Sequence, residues 1–155
     1  MKSLVVYYSL TGKTKTMAEV IAKNLAADIE EIQDQKDRRG IWSKIVAGFE
    51  SLQKKSTTIT AAKFNPNDYD LVIIGTPVWV SGMTPAVRAW LTQYANSLKR
   101  VAFFATMGGS GDIKAFKEME TLANKKPIAT VAFTDGNIAK NNYQQQLDSF
   151  LAALK

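Results

Sequence analysis

Four unbroken apolar runs of strand length restrict the fold of this chain more than any other feature: Leu4–Tyr8, Leu71–Ile74, Val101–Ala105 and Ile128–Phe133. Each is β-branched or aromatic and lacks polar alternation, so each is expected to be a strand covered on both faces. "ADIEEIQ" (Ala27–Gln33) alternates instead, which suits an edge strand of the same sheet. Stretches with helical period lie between these runs. Met17, Val20, Ile21 and Leu25 form one stripe, and Val87, Trp90, Leu91 and Tyr94 another. Ile113, Phe116 and Met119 continue more weakly, and Tyr143, Leu147, Phe150, Leu151 and Leu154 make the last. The alternation predicts an α/β fold: a doubly wound, five-stranded parallel sheet in a three-layer α/β/α arrangement with right-handed crossovers.

The length, 155 residues, suits a single domain spanning residues 1–155 with a sizeable hydrophobic core. No apolar run is long enough to span a bilayer, and Leu4–Tyr8 is too short for the core of a secretory signal. The chain has no Cys, which removes disulfides and thiolate metal sites and points to a cytoplasmic location. It also has no His. The usual zinc sites and every triad with an imidazole base are thereby excluded, so redox or group-transfer chemistry here calls for a cofactor. The net charge is +6, but the basic residues are dispersed and accompany no nucleic-acid motif, so no nucleic-acid partner is expected.

The segment "SLTGKT" (9–14) ends like an ATP-binding P-loop. That pattern needs a glycine five positions before Gly12, where this chain has Tyr7, so the tight turn around a β-phosphate cannot form. What remains is a strand-to-helix loop in which Ser9, Thr11 and Thr14 surround Gly12. Its hydroxyls, N–H groups and following helix favour a bound phosphate, although Ser and Thr also cap helices without a ligand. Two further loops, "TPVWVSGMTP" (76–85) and "TMGGSGD" (106–112), follow the third and fourth strands and are equally rich in Gly, Ser and Thr. Connections at the other end, such as "NPND" and "ANKKP", read as plain turns. This asymmetry puts a ligand at the carboxyl ends of the strands, where an open α/β sheet binds one. Trp79 offers a large apolar face to a planar ring, and Gly82 lets backbone come close to it. In the third loop the glycines supply flexible backbone donors. Lys13 is expected at the rim, adding positive charge near the phosphate.

"YSLTGKT", "GTPVWVSGMTPAVRAWL" and "TMGGSG" together resemble the flavodoxin family, over essentially the whole chain. The resemblance implies strand order 2-1-3-4-5 and flavin mononucleotide (FMN) as cofactor. It implies that Ser9, Leu10, Thr11, Gly12, Lys13 and Thr14 wrap the phosphate. Thr76, Pro77, Val78, Trp79 and Gly82 would border the isoalloxazine on one side, and Thr106, Met107, Gly108, Gly109 and Gly111 on the other. The last strand has no inserted loop, as in the short-chain form. The chain departs from the family in being basic, and in carrying Met107 and glycines where many members have a second aromatic. The implied function is an electron carrier between redox partner proteins. An FMN-dependent NAD(P)H:quinone-type reductase is the alternative, followed by an interaction module without cofactor. A candidate partner helix, Ile41–Leu52, carries Ile41, Trp42, Ile45, Val46, Phe49 and Leu52 on one face and basic residues at its flanks. No catalytic side chain and no metal ligand is expected.

Overall fold

The computed structural model describes residues 1–36 and 57–155; the candidate helix Ile41–Leu52 lies outside them. Five strands form one parallel sheet: β1 (Ser3–Tyr7), β2 (Asp28–Glu31), β3 (Leu71–Pro77), β4 (Val101–Met107) and β5 (Thr130–Thr134). Their spatial order is β2-β1-β3-β4-β5, as the resemblance implies. Helix α1 (Lys13–Leu25) follows β1, α2 (Pro85–Tyr94) follows β3 and α3 (Asp112–Ala123) follows β4. A short α4 (Asp135–Ala139) and then α5 (Gln144–Ala153) follow β5.

The apolar runs account for the centre of this arrangement. Every residue of β1 is buried, as are the first six of β3 and of β4, because helices cover both of their faces. On one face Met17 and Ile21 of α1 pack with Leu147 and Phe150 of α5 over Val5, Ile73 and Phe104. On the other, Val87, Trp90 and Leu91 of α2 and Met119 of α3 pack over Val6, Ile74 and Phe103.

Three sequence expectations change. The run Ile128–Phe133 is less covered than expected: β5 begins at Thr130 and, at the edge the strand order gives it, is mostly half-buried. Ile113, assigned to a helix stripe, is 82% exposed, because α3 turns the small Ala115 and Ala123 inward with Met119. The "NPND" turn, read as a plain connection, belongs to a segment pinned to the acidic edge strand. Lys63 and Phe64 donate their backbone N–H groups to the Glu30 carboxylate (2.6 and 3.1 Å), and the Tyr69 hydroxyl donates to Asp28 (2.7 Å). The Tyr7 hydroxyl donates to Glu31 at 3.3 Å. All three β2 carboxylates thus accept hydrogen bonds, which explains an acidic strand in a basic chain.

These contacts give a pH dependence. Burial first, then the bonded Asp28 carboxylate, pushes the Tyr69 phenol up to about 12, and burial with Glu31 raises Tyr7 as well. The folded protein therefore holds these protons more tightly than the unfolded chain, whose tyrosines titrate near 10. Their contribution to stability is complete below pH ~10 and is lost as pH rises toward ~12. The urea midpoint should fall between pH 10 and 11.5, and Tyr69→Phe should flatten that fall. An identical slope in the variant would refute the assignment.

Candidate functional site

At the carboxyl ends of β1, β3 and β4, and beside the end of β5, the loops enclose a crevice of about 390 Å³. That volume falls in the range of small-molecule and cofactor pockets. Its lining comprises Leu10, Thr11, Lys13 and Thr14 from the first loop and Pro77, Val78, Trp79 and Val80 from the second. Thr106, Met107 and Gly108 come from the end of β4, and Asp135 from the end of β5.

The first loop turns into α1 through Gly12, whose φ of +92° is the left-handed conformation that a side chain would strain. Ser9 Oγ accepts the Gly12 N–H at 3.1 Å, which ties the turn together. No side chain caps α1. Among the described residues, the N–H groups of Lys13, Thr14 and Lys15 have no protein acceptor. A left-handed residue followed by helical ones, with successive N–H groups unpaired and a helix dipole behind them, forms an anion-binding nest. A phosphate fits this donor set. The three hydroxyls read around Gly12 therefore divide their work. Ser9 shapes the turn, Thr11 is exposed at the crevice, and Thr14 is buried with its Oγ1 2.7 Å from Thr106 Oγ1. That last contact locks the first loop to β4.

The second loop reverses tightly. Trp79 and Gly82 exchange two backbone hydrogen bonds of 3.0 Å, with Val80 (φ +49°) and Ser81 (φ +60°) at the turn. Two positive φ values in a two-residue hairpin define a type I′ turn, normally made by Asn and Gly. A β-branched Val there is strained, at a cost on the order of 1–3 kcal/mol. Val80 is also half-exposed at the rim of the crevice. Trp79 is partly buried and meets Tyr8 edge to face, with ring centroids 5.8 Å apart, so its indole is a fixed wall.

Several expected site residues support the crevice without lining it. The Thr76 hydroxyl is fully buried, accepts the Thr84 N–H (3.1 Å) and donates to the Pro77 carbonyl (2.8 Å). Gly82 directs its carbonyl to Trp79, and a Cβ on it would lie 3.2 Å from Glu118 Oε2. That carboxylate pairs with Arg88 at 3.0 Å, joining α2 to α3 beneath the turn. Gly111 (φ +106°) starts α3, and a Cβ there would meet Val78 Cγ1 at 2.8 Å and Ser81 Cα at 2.9 Å. It is the close approach that sets the second and third loops together. Gly109 is exposed outside the crevice, and Ser9 and Gly12 shape the first loop from behind.

Two lining residues have no signal in the sequence pattern. Val80 occupies a left-handed turn position that a β-branched residue rarely takes, beside Ser81 and Gly82. Asp135 is a lone carboxylate after the fifth strand, and only the topology shows that this strand end also borders the crevice. Asp135 Oδ2 lies 2.7 Å from Lys13 Nζ, so the lysine charge expected at the rim is already paired. Among the described residues no cluster of acidic side chains could hold a metal ion, and no helix is long and apolar enough to cross a membrane.

A family model described as flavodoxin matches residues 2–152. No curated protein sequence matches significantly. Among solved structures, a flavoprotein from Lactobacillus acidophilus NCFM, crystallised in complex with FMN, shares 25% identity at a TM-score of 0.75. The match covers 90% of this chain and 97% of that one. The flavodoxin of Streptococcus pneumoniae TIGR4 matches with 14% identity and a TM-score of 0.61, covering 99% of this chain and 97% of that one. Oxidised flavodoxin 1 of Bacillus cereus matches with 16% identity and a TM-score of 0.58, covering 99% and 96%. These last two similarities concern the fold alone. With the sheet order, the glycine-turned anion nest and a family match over nearly the whole length in agreement, the chain belongs to the flavodoxin family.

Proposed function

We propose that the chain binds FMN in the crevice and carries electrons between redox partners. The observation that carries this reading is the uncapped start of α1, with its unpaired N–H groups, opening into the same crevice that Trp79 walls. An anion site and an aromatic wall within one pocket match the two ends of a flavin nucleotide. The family membership and the FMN-bound Lactobacillus relative support the choice of cofactor.

The bound flavin supplies the electron chemistry. The protein contributes position and environment. The N–H groups of Lys13, Thr14 and Lys15 hold the phosphate, while the Thr14–Thr106 contact keeps that loop in register with β4. Trp79, with Pro77 and Val78, bounds the ring on one side, and Met107 and Gly108 bound it on the other. The half-exposed Val80 leaves this end of the crevice near solvent, where a partner can approach. Among the described residues the lining has no acid or base apart from the Lys13–Asp135 pair, which supports a carrier over an enzyme acting on a small substrate.

The purified protein should be yellow, or become yellow with FMN, with absorption bands near roughly 370 and 450 nm from the flavin. Given NADH or NADPH and a quinone, it should turn over only when a reductase protein is added. A protein that takes up no flavin would refute the cofactor. Steady NAD(P)H oxidation without a partner would refute the carrier.

A further inference from the structure

Helices α2 and α3 meet along an open groove of about 340 Å³, and none of the residues lining it lines the crevice. The lining is Arg88 of α2 with Lys114, Lys117, Glu118, Thr121 and Leu122 of α3. Three cations thus share the groove with one carboxylate, and that carboxylate is already committed. Glu118 Oε2 accepts from Arg88 Nη2 at 3.0 Å, with both side chains nearly buried (13% and 11% exposed). Lys114 and Lys117 are exposed and have no acidic partner among the described residues. Asp112 and Glu120 of the same helix do not line the groove. The Arg88–Glu118 pair is itself a single hydrogen bond, where a guanidinium can offer a carboxylate two. The Arg88 Nε–H is buried and has no acceptor. Ile113, four residues before Lys117 and so on the same side of α3, is the most exposed large apolar side chain among the described residues.

We propose that this groove docks an acidic segment of a partner protein, whose carboxylates pair with Lys114 and Lys117 while an apolar side chain covers Ile113. Charge complementarity selects the occupant: three cations against one carboxylate leave an excess of two positive charges. The span from Lys114 to Thr121 is about 10 Å along the helix, room for two neighbouring carboxylates rather than one small acid. An apolar contact bordered by charge also suits a protein surface better than a free ion. Both lysines reach solvent, so each pair is screened by salt and adds modestly to affinity. The groove touches the crevice only from behind. Glu118 Oε2 would stand 3.2 Å from a Cβ on Gly82, and Gly82 closes the turn with Trp79. A carboxylate docked beside Arg88 and Lys117 therefore acts on the back of the loop that walls the crevice. Docking here needs no flavin.

The test is an NMR titration of the purified, nitrogen-15-labelled protein with a hexaglutamate peptide, with hexalysine, glutarate and a short oligothymidylate as comparators. Hexaglutamate should shift the backbone amides of Lys114, Lys117 and Thr121, and hexalysine should not. Lys114→Gln/Lys117→Gln should weaken hexaglutamate about tenfold, the worth of two exposed ion pairs. Lys125→Gln/Lys126→Gln removes the same charge just past the end of α3 and should weaken it less than about twofold. Glutarate should bind at least about tenfold more weakly than the peptide, whose linked carboxylates engage together. An unchanged amide pattern elsewhere in the spectrum verifies the fold of each variant. If hexaglutamate shifts none of the three amides, or both double variants weaken it equally, the docking site is overturned. Glutarate binding as tightly as hexaglutamate would overturn it in favour of a small-acid site. Oligothymidylate shifting the same amides as tightly would overturn it in favour of a phosphate surface. None of these outcomes bears on flavin binding, which the visible spectrum reads separately.

Discussion

Gly75→Ala is expected to destabilise the protein by about 2–4 kcal/mol, at the high end for overpacking a filled core. Gly75 lies in β3 between Tyr7 of β1 and Phe104 of β4, which are its partners in register. The Phe104 ring fills the place that a side chain on Gly75 would take, and an added Cβ would fall well inside van der Waals contact of three of its ring atoms. The ring cannot swing away, because Phe104 is fully buried among Tyr7, Met17 and Phe133. An Ala also lowers the entropy of the unfolded chain, which returns only about 0.4–1 kcal/mol. The net loss corresponds to a fall in Tm of roughly 5–12 °C for a chain of this size. Urea denaturation measures it, and Gly75→Ala/Phe104→Leu should recover a part of the loss because the two sites share one space. A single variant as stable as wild type would show that the ring is free to move.

Gly75 also marks what the sequence can and cannot disclose. In "LVIIGTP" the glycine interrupts an apolar run without breaking the strand, and nothing local says that an aromatic from the next strand covers it. The interior strands were legible because double coverage demands unbroken apolar residues, and β1, β3 and β4 have them. The partial exposure of β5 was not: "IATVAF" is as apolar as a doubly covered strand, and the resemblance alone implied its place at the edge. The weak stripe through Ile113 misled because α3 buries alanines, which carry little hydrophobic signal. Glycine and hydroxyl content marked the three loops that the structure brings around one crevice. Their individual roles depend on geometry. Thr76 and Gly82 turn inward to hold the second loop, and Asp135 becomes visible only when the end of β5 is placed beside α1.

Riboflavin, which lacks the phosphate, is expected to bind at least 100-fold more weakly than FMN. Each net hydrogen bond from an N–H to a charged phosphate oxygen contributes about 1.5–3 kcal/mol. The start of α1 offers three N–H groups without a protein acceptor among the described residues, and the helix dipole adds about 0.3–1 kcal/mol. Two good bonds already exceed the roughly 2.8 kcal/mol that a factor of 100 requires. Asp135 limits the total, since its carboxylate holds the charge of Lys13 that would otherwise face the phosphate directly. Gly12→Ala separates the nest from the rest of the crevice. It strains the +92° turn that aims these N–H groups and meets no neighbour within 4 Å, so the damage is conformational and local. FMN affinity should fall about tenfold, the equivalent of roughly 1–2 kcal/mol for a left-handed alanine, while riboflavin affinity stays as it was. Titrations of both flavins on both proteins measure the two ratios. If riboflavin bound within tenfold of FMN, or if Gly12→Ala weakened both alike, the phosphate would not sit at the α1 nest.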